Sequence, residues 1–171
     1  YQTKGGYESL IVGCYSNLKN IYNTTTYQIF TQQGTDVFTQ NYPTEVAAMN
    51  QYTTTYQSNN GTIYAMWSSY FNALNNVNAA IDRSKSVILK TDDPDGIEPS
   101  ALTQLVAEAK ALRAWYLFEI VRNWGQGPLK INESKEPSYT VEYSNGAAFY
   151  QQIFTDLEEA ISVLPWRQTG S

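Results

Sequence analysis

Ala107-Glu108-Ala109-Lys110-Ala111-Leu112-Arg113-Ala114-Trp115-Tyr116-Leu117-Phe118-Glu119-Ile120-Val121-Arg122-Asn123-Trp124-Gly125-Gln126-Gly127-Pro128-Leu129 is the stretch whose reading decides the fold. Leu105, Ala109, Leu112, Tyr116 and Ile120 recur at three to four residues, and Leu102, Val106, Leu117, Val121 and Trp124 form an adjoining row. A helix apolar over so much of its circumference is buried between neighbours. Ala107, Ala109, Ala111 and Ala114 favour helix and let another helix come close. Gly125 and Gly127 supply the stop, and Pro128 cannot continue the helix. Arg113 and Glu119 lie inside the apolar run, so each needs a paired partner, expected on a neighbouring helix.

Working outward, three more periodic segments emerge. Residues 62–87 carry Ile63, Trp67, Tyr70, Phe71, Leu74, Val77 and Ile81 on one face. There Trp67 reads as core, and Asn78 lies beside the buried side, where it is expected to bond a neighbouring backbone. Residues 4–22 place Tyr7, Leu10, Ile11, Cys14, Leu18 and Ile21 together. In residues 144–164, Phe149, Ile153, Leu157, Ile161 and Leu164 recur, and Pro165 ends the run. The central helix spans 100–124, starting near Glu98-Pro99-Ser100. The segments at 62–87 and 100–124 are expected to pair antiparallel. The last reads as the first half of a further pair whose partner is missing.

Residues 23–61 differ: Thr, Gln, Asn, Tyr and Gly dominate, and no period persists. A short helix over 44–51 fits locally, and Asp36 suits a turn-capping role. Long irregular segments in compact domains are uncommon and often functional. The turn Thr91-Asp92-Asp93-Pro94-Asp95-Gly96-Ile97-Glu98-Pro99 is acidic, but it lacks the spacing of an EF-hand loop and reads as a solvated connector.

Composition excludes several classes. The 171 residues suffice for one domain with a real core, and hydrophobic content is 42%. Net charge is −5 without a basic stripe, which argues against nucleic acid. No apolar run is long enough to span a membrane. Tyr1 opens directly on polar residues, the look of a mature or truncated chain. Histidine is absent, which removes the commonest general base and metal ligand and every Ser-His-Asp or Cys-His arrangement. The single cysteine, Cys14, reads as a small buried apolar residue and cannot build a zinc site or an internal disulfide. Gly125-Gln126-Gly127-Pro128 ends a helix rather than opening one, the wrong polarity for a phosphate loop. No catalytic residue, metal site or cofactor is therefore expected. Aromatic content is 14%, with 14 tyrosines, and charged residues make up only 16%. Such a neutral, Tyr- and Asn-rich surface suits recognition, including sugar stacking.

The phrase Glu108-Ala109-Lys110, Leu112-Arg113-Ala114, Tyr116, Phe118, Gly125 and Pro128-Leu129 resembles the SusD/RagB family of surface nutrient-binding lipoproteins of Bacteroidota. Trp67, Phe71, Leu74 and Asn78 resemble the helix preceding that phrase. Gly34-Thr35-Asp36 resembles the element after the first helix, and Ile153, Asp156-Leu157, Ala160 and Leu164-Pro165 the helix after the Pro-Leu turn. The resemblance implies an all-α fold of tetratricopeptide-like helical hairpins, with a long irregular loop region after the first helix. It covers the N-terminal portion of the longer family members.

The resemblance further implies a binding protein, not an enzyme. Such a protein captures an oligosaccharide, or in some members a peptide, and hands it to a SusC-type TonB-dependent outer-membrane transporter. It sits on the outer leaflet of the outer membrane through a lipid anchor outside this chain. In the matching loop region the candidate ligand contacts are Tyr42, Tyr52, Tyr56, Asn59 and Asn60; each alone also suits a plain surface-loop role. A helical-repeat scaffold that docks a partner without small ligand is the other reading.

Overall fold

The computed structural model describes residues 1–38, 49–52, 57, 59–136 and 140–166. Among them the chain is all-α, without a strand: α1 (Lys4–Tyr22), α2 (Thr25–Gln32), α3 (Gly61–Arg83), a 3-10 turn (Ser84–Ser86), α4 (Pro99–Trp124) and α5 (Gly146–Ile161). The periodic segments became α1, α3, α4 and α5. The expected helix over 62–87 gives way to the 3-10 turn after Arg83. There Ser84 Oγ donates to the Ile81 carbonyl at 2.7 Å and Ser86 Oγ to the Arg83 carbonyl at 2.9 Å. Hydroxyls that bond the backbone locally compete with helix continuation. α2 falls inside the stretch expected to be irregular. Thr24 caps it, accepting from Tyr27 N–H at 3.1 Å, yet none of its residues is buried, so it leaves no apolar stripe in the sequence. Of the helix expected over 44–51, residues 44–48 lie outside the described residues, and 49–51 are helical.

The chain divides into two compact units, Tyr1–Ser16 with Asn72–Ser171, and Asn17–Phe71. In the first, α4 is buried around most of its girth, from Ala107 to Val121. Glu98 and Pro99 open it, and Gly125, at φ 74°, closes it with its N–H on the Val121 carbonyl at 2.8 Å. That positive φ is why glycine stands there. α5 packs antiparallel on α4. Arg113 meets Asp156, and three residues back along α4 Lys110 meets Glu159, three residues on along α5.

The Arg113 pair is the partner that the sequence demanded. Its Nε and Nη2 donate to the two Asp156 oxygens at 2.8 and 2.6 Å, and Nη1 donates to the Ile131 carbonyl at 2.8 Å. Both residues are buried. Such a pair adds little net stability over apolar packing, but breaking it is costly. Glu119 accepts from Arg122, three residues along the same helix, at 2.8 Å.

The segment after α4 is strapped along α3 by side chains. Asn78 Nδ2, fully buried, donates to the carbonyls of Lys130 and Asn132 at 3.0 and 3.2 Å, the backbone role expected of it. Asn75 grips both backbone groups of Ser134, and Asp82 accepts from Glu133 N–H at 2.7 Å. Arg83 forms a two-pronged pair with the Glu133 carboxylate. α1 adds Tyr7, whose hydroxyl donates to the Ala80 carbonyl at 2.9 Å, and Cys14, buried as expected, whose thiol faces the Asn76 carbonyl at 3.6 Å.

The second unit is built differently. Tyr22 at the end of α1 meets Tyr27 of α2 edge to face, centroids 4.7 Å apart. Trp67 and Phe71, one turn apart on α3, sit at 4.5 Å and are half-buried.

Candidate functional site

The irregular segment with its flanking helix ends makes up the Asn17–Phe71 unit. Of the chain's 11 basic and 16 acidic residues, only Lys19, Asp36 and Glu45 fall in it. Its polar groups are amides, hydroxyls and phenols. A charged ligand finds few complementary charges there. A neutral polyol finds many donors and acceptors, each cheaper to desolvate than an ion.

Within it the structure joins two residues that the sequence offered separately. The Tyr52 hydroxyl donates to the Gly34 carbonyl at 2.9 Å, and Gly34 N–H reaches Asn50 Oδ1 at 3.4 Å. Gly34 stands at φ 80°, and a Cβ there would lie 2.7 Å from the Tyr52 hydroxyl and 2.9 Å from the Met49 carbonyl. Only glycine fits both the dihedral and the space. Tyr52 itself holds φ 51°, a conformation that costs a bulky residue about 1–3 kcal/mol. It nevertheless remains 69% exposed. A phenol fixed at its hydroxyl while much of its surface meets solvent has little freedom left to lose on stacking against a ligand.

Asn60 takes another part. It is 5% exposed, and its Oδ1 accepts from the N–H groups of Thr62 at 3.0 Å and Ile63 at 3.4 Å. Its amide oxygen thus caps α3, as asparagine does at helix starts, and it anchors the loop where the helix begins. Asn59 beside it is exposed. Tyr42 and Tyr56 lie outside the described residues. Sequence reasoning missed two residues here: Asn50, whose Oδ1 accepts from Gly34 N–H, and Tyr64, exposed on the first turn of α3. Tyr64 was passed over because α3 was read for its buried face.

In the other unit the fold displaces the protonation of several described groups, and each shift has a structural cause. Burial pushes the Tyr7 phenol up to about 12 and the Cys14 thiol to about 11. Burial and then the Glu108 carboxylate raise Tyr15 to about 12. Hydrogen bonding to Arg83 holds Glu133 below the usual carboxylate range, and Glu133 raises Arg83 in return. The acidic turn is closed on itself, with Asp93 Oδ1 accepting from Asp95 N–H at 2.9 Å and Lys90 paired to Glu98 at 2.7 Å. Among the described residues, no group of three or more Cys, Asp or Glu side chains could hold a metal ion. Nor is any described helix long and apolar enough to cross a membrane.

The fold thus defines an all-α scaffold of helical hairpins bearing an aromatic, charge-poor irregular segment. The family described as starch-binding, associating with the outer membrane, matches residues 6–169, and the chain belongs to this SusD-like family. It is 26% identical to SusD-like protein P25 of Formosa agariphila over 136 residues, which cover 75% of this chain and 24% of that protein. A SusD superfamily protein from Bacteroides vulgatus superposes with a TM-score of 0.77 at 22% identity, over 95% of this chain and 35% of its own. A laminarin-binding SusD-like protein does so with a TM-score of 0.73 at 21% identity, over 96% and 35%. At these identities the two structures speak for the fold. The chain spans about a quarter to a third of the length of these relatives.

Proposed function

We propose that this chain is the N-terminal helical portion of a surface glycan-binding protein that partners a SusC-type TonB-dependent transporter in oligosaccharide uptake. The whole protein sits at the cell surface, held by a lipid anchor, and binds without catalysing. The observation that carries the reading is the contrast inside the chain. A segment nearly free of charge and rich in Tyr, Thr, Asn and Gln holds Tyr52 rigid and exposed. Sugars offer flat C–H faces to aromatic rings and neutral hydroxyls to amides. Membership in a family described as starch-binding supports this ligand class, as does the likeness to a laminarin-binding protein. Tyr42, Tyr52 and Tyr56 provide stacking surfaces and Asn59 bonds ring hydroxyls, while Asn60, expected from the sequence as a contact, is buried and holds the loop end at the start of α3. Discrimination then arises from polar groups left unpaired when a poorly fitting sugar enters.

Calorimetry of the full-length protein against soluble polysaccharides, laminarin and starch among them, tests the reading. Binding to one glycan class is the expected result. Binding to peptides alone, or to neither, would overturn it.

A further inference from the structure

Tyr52 is 69% exposed, yet its hydroxyl is committed to the chain itself, donating to the Gly34 carbonyl at 2.9 Å. The other backbone group of Gly34, its N–H, donates to Asn50 Oδ1 at 3.4 Å. One glycine thus has both backbone groups held by side chains two residues apart. The segment that carries those side chains is itself anchored. Met49 is buried, and its carbonyl lies 2.9 Å from where a Gly34 Cβ would stand. Gly34 is a firm support because the turn around it is closed at the end of α2. Gln33 N–H donates to the Ile29 carbonyl at 3.1 Å, and Thr35 Oγ1 donates to the Gln32 carbonyl at 2.7 Å.

These bonds divide Tyr52 into two parts. A phenol has one proton to donate, and here Gly34 takes it. Turning that proton to a sugar hydroxyl would strip the Gly34 carbonyl of its bond, so one hydrogen bond would only replace another. What remains to meet a ligand is the ring. Held at its backbone and at its hydroxyl, the ring has given up its rotational freedom on folding, before any ligand arrives.

We infer that Tyr52 takes a sugar by its ring alone, and that the Tyr52 hydroxyl and Asn50 are positioning groups that act through Gly34 without touching the ligand. The inference rests on the reading of this segment as glycan-binding. It names what Tyr52 reads, the C–H face of a sugar ring, and leaves the pattern of sugar hydroxyls to other side chains.

Calorimetry of the full-length protein against soluble polysaccharides, laminarin and starch among them, tests it with variants at two positions. Tyr52→Phe keeps the ring and removes its anchor, so affinity should fall about threefold while staying above that of Tyr52→Ala. Asn50→Ala should bring a similar loss, and Asn50→Asp, which keeps an acceptor for Gly34 N–H, should restore native affinity. In the Tyr52→Phe background Asn50→Ala should lose nothing further, because its route to the ring is gone. Losses that add in the double variant make Asn50 a ligand contact and overturn its positioning role. A Tyr52→Phe protein as weak as Tyr52→Ala makes the hydroxyl the contact, and one as strong as the native protein makes the anchor idle; either result overturns the inference. Should Asn50→Ala fail to fold, as thermal denaturation would reveal, the comparison of Tyr52→Phe with Tyr52→Ala still decides. A native protein that binds no polysaccharide removes the proposed function and this inference with it, whereas native binding with any of the contrary patterns removes only this inference.

Discussion

The two units of this molecule solve the problem of polar groups in opposite ways. The unit of Tyr1–Ser16 with Asn72–Ser171 holds nearly all the charge, and at its key joints uses that charge for structure. Arg113 with Asp156 fastens α5 to α4, and Arg83 with Glu133 and the Asn75, Asn78 and Asp82 amides and carboxylate fasten the strap to α3. The Asn17–Phe71 unit has almost no charge to use. Its polar groups serve local backbone, as in the Thr24 and Asn60 caps, or stay exposed, as in Tyr52 and Asn59. A fold that uses its ions in the scaffold leaves the Asn17–Phe71 segment with little charge.

The largest effect should come from breaking the buried pair. Arg113→Ala leaves Asp156 charged and alone in the core and should cost about 3–5 kcal/mol, read as a fall in the chemical-denaturation midpoint. Replacing both partners with Met should recover most of that loss. If the single substitution proves mild, the claim that charge organises this unit fails.

Next comes Gly34→Ala. It forces a side chain into a positive-φ position and against the Tyr52 hydroxyl and Met49 carbonyl. A cost of about 1–3 kcal/mol is expected, together with weakened glycan binding because Tyr52 loses its anchor. Loss of stability with binding intact would separate the clamp from recognition. Asn60→Ala removes a helix cap and should cost about 1 kcal/mol, while Asn60→Asp, which caps equally well, should be near neutral by thermal denaturation.

The smallest effect is on pH. Glu133 titrates below its ordinary value of 4.5 in the folded state. Its contribution is therefore complete above that pH and is lost as pH falls through the lower folded value. A Glu133→Gln variant should lose this acid-side slope. Arg83 is partly exposed, so water screens the pair and keeps the slope shallow.

How much was legible followed burial. α4 was plain because its apolar residues encircle it, and Pro99 and Gly125 marked its ends to within a residue. α2 was not, because it buries nothing and offers only Thr24 as a signal. For α5, Phe149, Ile153, Leu157, Ile161 and Leu164 recur at about four residues, but each step of four drifts about 40° around a helix. The row therefore slides off the core, and the buried line continues through Asp156 and Ala160 instead. The need for a partner to Arg113 could be read; that it is Asp156, 43 residues on, could not, since only the tertiary fold brings them together. In the site, Gly34 and Tyr52 were each noticed, while their contact across 18 residues depends on backbone geometry that no spacing rule encodes.

The central claim is that the neutral segment meets a neutral glycan through Tyr52. Calorimetry of the full-length protein and its Tyr52→Ala variant, with the glycan that the panel identifies, at about 0.1 and 1 M salt, tests it most directly. Affinity should fall about tenfold or more in the variant, about 1.4 kcal/mol, and hardly change with salt in either protein. Unchanged affinity in the variant, or binding that collapses at high salt, would contradict the account.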